Sequence, residues 1–286
     1  MSRPMETITD DTELRRAGFL WREGEGGVRA LVCEPLEGDG FANAFSTRAG
    51  GVSPFPSDAL NLAGPDYDAR ENIQENRRRF FRLLGGEWAF SGCWQVHGAE
   101  VRVVRGREDP RREREQCDAL TTRAPGVLVG VKTADCVPVL LGDARTGACA
   151  AVHAGWRGTL QGVVARALSK MGEEFGTRAG DVRAAVGPAA RACCYEVGPE
   201  IVAAFRAKFP RADALFTPTR EGHALVDLNR ANLVQLLDAG VGAGRVHQLP
   251  LCTMCRPDLF FSHRRDHKAH GHTGRLLSVI GRKVSS

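Results

Sequence analysis

Ala134-Asp-Cys-Val-Pro-Val-Leu-Leu141 and Ala148-Cys-Ala-Ala-Val-His-Ala-Gly-Trp-Arg-Gly158 flank the turn Gly142-Asp-Ala-Arg-Thr-Gly147. Two short apolar runs separated by a glycine-bounded turn have the pattern of paired strands. Residues 136–141 and 148–153 are therefore expected to form a hairpin. Pairing brings Cys136 and His153 to the same open end, although 17 positions separate them in the chain. A thiolate beside an imidazole is either a metal-binding pair or a nucleophile with its base.

Upstream, residues 28–34 and 43–47 read as strands, the second running into Arg48-Ala-Gly-Gly-Val52. Glycines there allow close backbone approach to a ligand, and Ser46, Thr47 and Arg48 offer hydroxyls and a guanidinium. An ordinary turn is the simpler reading of the same residues. Asp68 and Glu71 resemble a capping box opening a helix that ends at Gly85-Gly86. Residues 88–95 form a strand-like run ending at His97-Gly98, and residues 106–117 are a mixed charge run expected as surface loop. Beyond the hairpin, Leu160, Val163, Val164, Ala167, Leu168 and Met171 share a helical face, which places a helix N-terminus near His153. Strands are expected at 127–132, 182–186, 224–228, 246–251 and 275–280, and helices from Pro199 and over 229–239. Interspersed elements with an antiparallel hairpin favour a mixed α+β fold over a doubly wound sheet. We expect a loosely ordered segment over 1–26 and a single domain over 27–286.

The chain has 286 residues, 43% hydrophobic and 26% charged, which suits a globular protein with a sizeable core. Its beginning lacks an apolar leader segment, and no run is long enough to span a bilayer, so a cytoplasmic protein without a membrane partner is expected. Nine cysteines without framework spacing suggest reduced thiols. The net charge of +5 is spread over dispersed arginines, a pattern that argues against nucleic-acid binding. No exposed apolar helix stripe is evident, and a monomer is expected.

Two sets of residues have metal-ligand chemistry. His97, Cys136 and His153 would give three N/S donors and leave a fourth position for water or substrate, the arithmetic of a catalytic zinc site. Cys252-Thr-Met-Cys255 with His263 and His267 resembles a short zinc knuckle, although a gap of seven residues is tight and residues 258–262 read as core strand. A buried pair of free cysteines is the competing reading of that segment.

Many ordered motifs resemble one family. They are Phe45-Ser-Thr-Arg-Ala-Gly-Gly-Val-Ser53, Asn61-Leu62, Glu75-Asn-Arg-Arg78, Gln95-Val-His-Gly98, Thr133-Ala-Asp-Cys-Val-Pro138 and Ala151-Val-His-Ala-Gly-Trp-Arg-Gly158. Cys193-Cys-Tyr-Glu-Val197, Asp227-Leu-Asn-Arg-Ala-Asn232, Cys252-Thr-Met-Cys255, Phe260-Phe-Ser-His-Arg-Arg-Asp266 and Thr273-Gly-Arg275 complete the set. Together they are similar to the laccase-domain family of metal-dependent purine nucleoside phosphorylases, formerly described as multicopper polyphenol oxidoreductases and including peptidoglycan editing factor homologues. The resemblance covers about residues 41–282. It implies layered mixed sheets flanked by helices, an αββα-like sandwich, and a metal site at His97, Cys136 and His153 holding zinc or copper. It also implies phosphorolysis of adenosine, inosine, guanosine and methylthioadenosine with inorganic phosphate, and deamination of adenosine.

Arg48 is the first candidate for binding phosphate or ribose, followed by Ser46, Arg157, Arg264 and Arg265. Asp135 is a candidate for orienting a ligand histidine or moving a proton, and Tyr195 and Phe261 for stacking on a base. The family pattern has a further cysteine within the loop that reads Gly187-Pro-Ala-Ala-Arg-Ala-Cys-Cys194 here, and often tyrosine at the position of His263. Alternatives are a cysteine hydrolase acting on peptidoglycan precursors through Cys136 and His153, a copper-dependent polyphenol oxidase, and a non-catalytic protein with structural zinc.

Overall fold

Val137–Asp143 and Ala148–Ala154 pair antiparallel over their whole length, with Pro138 opposite His153. The computed structural model describes residues 11–64, 68–109 and 115–284. Around this hairpin is a six-stranded sheet in the order Val246–Gln248, Val182–Val186, Val137–Asp143, Ala148–Ala154, Ala119–Thr122, Val101–Val103. A second six-stranded sheet has the order Phe19–Glu23, Arg29–Cys33, Phe41–Ser46, Leu276–Arg282, Val127–Thr133, Ala89–Ser91. Both mix parallel and antiparallel neighbours. Glu196–Val197, Ala224–Val226 and Phe216–Pro218 form a third, small sheet that contributes Val197, Ala224 and Val226 to the core under the hairpin.

Alternation along each strand sorts side chains between layers. Ala148, Ala150, Val152 and Ala154 join one core with residues of the helices Val163–Phe175, Pro199–Lys208 and Leu228–Asp238. Cys149 and Ala151 of the same strand face a different core, shared with Phe41, Phe45, Val127, Val129, Val131 and Ile280 of the other sheet. On the far side, Leu128, Leu277 and Val279 pack with Phe80 and Leu84, at and just beyond the helix Arg70–Arg82. Three cores separate helix, sheet, sheet and helices, which is the expected αββα layering.

Several expectations are corrected. Residues 11–26 are built into the fold: Asp11–Arg16 is a helix, and Phe19–Glu23 pairs with Arg29–Cys33 as an edge strand. Asp68 does not cap the helix amides through a capping box; its Oδ1 accepts from Ala69 N–H and Asn72 Nδ2. The helix after the hairpin is two, Trp156–Leu160 and Val163–Phe175, separated by Gly162 at φ 75°. Residues 258–262 form no strand, although Phe260 and Phe261 are buried. The charge run is only partly surface loop: Cys117 is buried and bonds through its N–H to Trp94 O. Residues 110–114 of that run lie outside the described residues. Among the described residues, no helix is long and apolar enough to cross a membrane.

The loop after Phe41–Ser46, which carries Arg48, is held in part by a buried amide. Asn76, fully buried on the helix Arg70–Arg82, accepts from Val52 N–H at 2.9 Å. It donates to Ser53 Oγ at 2.8 Å and to Asn61 O at 2.9 Å. Asn76→Ala leaves those groups without partners, and we expect a loss of about 2–3 kcal/mol in urea unfolding. A change below roughly 0.5 kcal/mol would show that the loop is anchored elsewhere.

Candidate metal centre

At the open end of the hairpin, the ligand atoms of His97, Cys136 and His153 all lie within 4.8 Å of one another. The two imidazole centroids are 4.9 Å apart, with the rings nearly perpendicular at 76°. His153 is 3% exposed and Cys136 half-buried, whereas His97 is exposed. The group therefore opens to solvent on the side of His97.

Each ligand is set by the local fold. His153 is the penultimate residue of the strand Ala148–Ala154 and Cys136 immediately precedes its partner strand. His97 sits in a loop at φ 60°, a left-handed conformation uncommon for histidine. That loop is held by Asp118, which is fully buried. Its carboxylate accepts from the backbone N–H groups of His97 at 2.9 Å, Gly98 at 2.6 Å and Val96 at 3.3 Å. The same carboxylate receives His153 Nδ1 at 2.7 Å, and Asp118 O accepts from His153 N–H, also at 2.7 Å. A carboxylate can only accept here, so Nδ1 carries the proton and Nε2 is left for the site.

Charge at the site follows from burial opposed by pairing. Burial alone would raise the Cys136 thiol, yet the histidines His153 and His97 bring it down to about 6. Burial alone would lower the His153 imidazole, but Cys136 and Asp118 hold it up to about 9. Burial works against the Asp118 charge too, and the hydrogen bonds from His153 and the backbone keep its carboxyl below the usual range. Cys136 and His153 thus each favour the charged form of the other.

A metal fits these residues. One thiolate and two imidazoles are a donor set for zinc or copper, with room for a further ligand on the open side. Gly155 keeps the space clear: a Cβ there would stand 3.0 Å from both Cys136 Sγ and His97 Cδ2. That distance is closer than side chains tolerate without movement.

The structure spreads the other candidates around this centre. Asp135, at φ 91°, turns its carboxylate to Thr253 Oγ1 at 2.6 Å, Ser262 Oγ at 3.0 Å and Arg264 N–H at 2.7 Å. It ties three segments together, and Asp118 is the acid bonded to the ligand histidine. Tyr195 lies within electrostatic range of Cys136, and burial pushes its hydroxyl up to about 12. The Arg264 guanidinium lies over the Tyr195 ring at 4.7 Å, and Arg157 over Trp156 at 4.2 Å; both arginines are exposed. Arg48 is half-buried near Asp266, Arg265 and Asp258, and burial lowers its pKa. Ser46 is 1% exposed and accepts Leu277 N–H at 2.9 Å, so it stays in the sheet. Arg265 bonds to Thr253 O, Phe260 O and Asp266, bracing the backbone. Phe261 is fully buried.

Sequence reasoning missed Asp118 because it directly follows the charge run of residues 106–117. Its signal was Cys117-Asp-Ala-Leu-Thr-Thr122, an acid directly before an apolar and β-branched run.

A family model described as multi-copper polyphenol oxidoreductase laccase matches residues 42–283. The chain belongs to that family. It is 35% identical over 254 residues to a purine nucleoside phosphorylase, YlmD, of Geobacillus stearothermophilus, covering 85% of this chain and 91% of the relative. It is 41% identical over 241 residues to a purine nucleoside phosphorylase of Deinococcus radiodurans, covering 84% and 88%. The crystal structure of YlmD from Geobacillus stearothermophilus superposes with a TM-score of 0.83 at 33% identity, covering 92% of this chain and 99% of that one. The family description implies a metal ion, in keeping with the donor set above.

If Asp118 sets the orientation and tautomer of His153, Asp118→Asn weakens metal binding. We expect a 10–100-fold loss of zinc affinity in chelator competition. Unchanged affinity in a folded variant would remove Asp118 from the centre.

Proposed function

We propose that this protein is a metal-dependent purine nucleoside phosphorylase, in which His97, Cys136 and His153 hold the ion. The observation that carries the reading is the three-ligand group open on the His97 side, in a chain 35–41% identical to relatives bearing that name. A closed group of four ligands would instead suit a structural role. Adenosine, inosine, guanosine and methylthioadenosine are the proposed substrates with inorganic phosphate, and deamination of adenosine is a proposed second activity. We further propose a cytoplasmic monomer binding zinc, with copper as the alternative ion; none of the nine cysteines is in a disulfide, in keeping with a reducing compartment.

Breaking the N-glycosidic bond leaves positive charge on the ribose and negative charge on the departing purine. When bound, the ion supplies a positive centre that favours the second of these. Asp118 holds His153 with Nε2 towards the site and the His97 loop in its strained turn. Arg157 and Arg264 are exposed cations for phosphate or ribose, with Arg48 as a third candidate set back in its loop. Asp135 fixes Cys136 by tethering its own backbone turn to Thr253 and Ser262. The half-buried Tyr195 ring, backed by Arg264, offers an aromatic edge to the base.

One observation favours a second reading. Cys136 Sγ and the His153 ring lie within 4.8 Å of each other and each favours the other's charged form, the arrangement of a cysteine hydrolase's nucleophile and base. The two readings differ in their co-substrate and metal requirement. With zinc-loaded protein and adenosine or inosine, phosphate should be required for release of free base and ribose 1-phosphate. Cys136→Ala should lower turnover at least 100-fold together with bound metal. Turnover that survives metal removal and needs no phosphate would replace the phosphorylase with the hydrolase.

A further inference from the structure

We propose that Cys193, Cys194, Cys252 and Cys255 form a second metal site, a closed four-thiolate structural site for zinc. Their sulfur atoms all lie within 4.8 Å of one another. Cys194 Sγ is 3.1 Å and Cys193 Sγ 3.5 Å from Cys255 Sγ. Zinc–thiolate bonds of about 2.3 Å place tetrahedral sulfur neighbours about 3.8 Å apart, in the middle of this range. A disulfide requires about 2.05 Å, well short of these separations, and none of the four cysteines is in one.

The two pairs meet through the sheet. Val182–Val186 and Val246–Gln248 run parallel, so the segments that follow them leave from the same end. Parallel pairing resumes at Ala189 and Cys252, with Thr253 N–H donating to Ala189 O at 3.0 Å. This zips the Cys193-Cys194 loop to the Cys252-Thr-Met-Cys255 turn.

The donor set is soft, without carboxylate or imidazole, and four sulfurs leave no position for water or substrate. That composition selects a structural tetrahedral ion. His263 and His267, the partners suggested by spacing, are paired with each other at 4.9 Å between ring centroids and lie outside the cluster. On binding, the thiols lose their protons to solvent and no electron is transferred. The ion would lock a wall beside the first site: Thr253 bonds to Asp135, next to Cys136, and Tyr195 follows Cys194 directly.

The test is metal content of the full chain purified without chelators from zinc-supplemented medium. Wild type should carry about two zinc ions per chain, and Cys136→Ala/His153→Ala about one. X-ray absorption on that double variant should show four sulfur neighbours at about 2.3 Å. Cys252→Ser/Cys255→Ser should lose one ion; if it fails to fold, the double variant alone decides. A double variant that is metal-free, or whose zinc has nitrogen or oxygen neighbours, would overturn the proposal. So would an intact mass two hydrogens low for each cysteine pair, which would reveal disulfides.

Discussion

A single buried carboxylate organises the centre. Asp118 takes four donors at once: His153 Nδ1 and the backbone N–H groups of Val96, His97 and Gly98. Burying a charge is costly unless it is paired and fully hydrogen-bonded, and this one is both. The carboxylate therefore does two things that neither histidine segment can do alone. It stabilises a left-handed turn at His97, and it fixes which nitrogen His153 turns outward.

The layered fold makes that arrangement possible. Asp118 directly precedes Ala119–Thr122, the strand next to Ala148–Ala154, so it lies beside His153 by sheet register. Cys136 arrives from the other neighbour of the same strand. Three adjacent strands thus deliver an acid, a base and a thiol to one end of a sheet buried on both faces. His97 comes from outside the sheet and is the exposed member, which leaves one side open. The second set of cysteines uses the same sheet through its parallel pair, at a loop-to-loop contact.

Features carried by local pattern were legible in the sequence. The hairpin of 136–154 follows from glycine-bounded apolar runs, and Val163, Val164, Ala167, Leu168 and Met171 form the buried stripe their spacing predicts. What was not legible depends on partners distant in the chain. The edge strand Phe19–Glu23 has no pattern beyond its neighbours, and only pairing with Arg29–Cys33 reveals it. Asp118, just past the charge run of residues 106–117, was not singled out, because sheet neighbours rather than sequence neighbours give it its role. Cys252 and Cys255 were matched to nearby histidines by spacing. Parallel pairing, which sequence proximity cannot show, brings Cys193 and Cys194 instead.

The central claim is that Asp118 dictates the protonation of His153. Long-range proton–nitrogen NMR on the zinc-loaded protein reads this directly. The account predicts a His153 ring proton on Nδ1, shifted downfield by its short bond to Asp118, with Nε2 free of hydrogen. A proton found on Nε2, with Nδ1 bare, would contradict it.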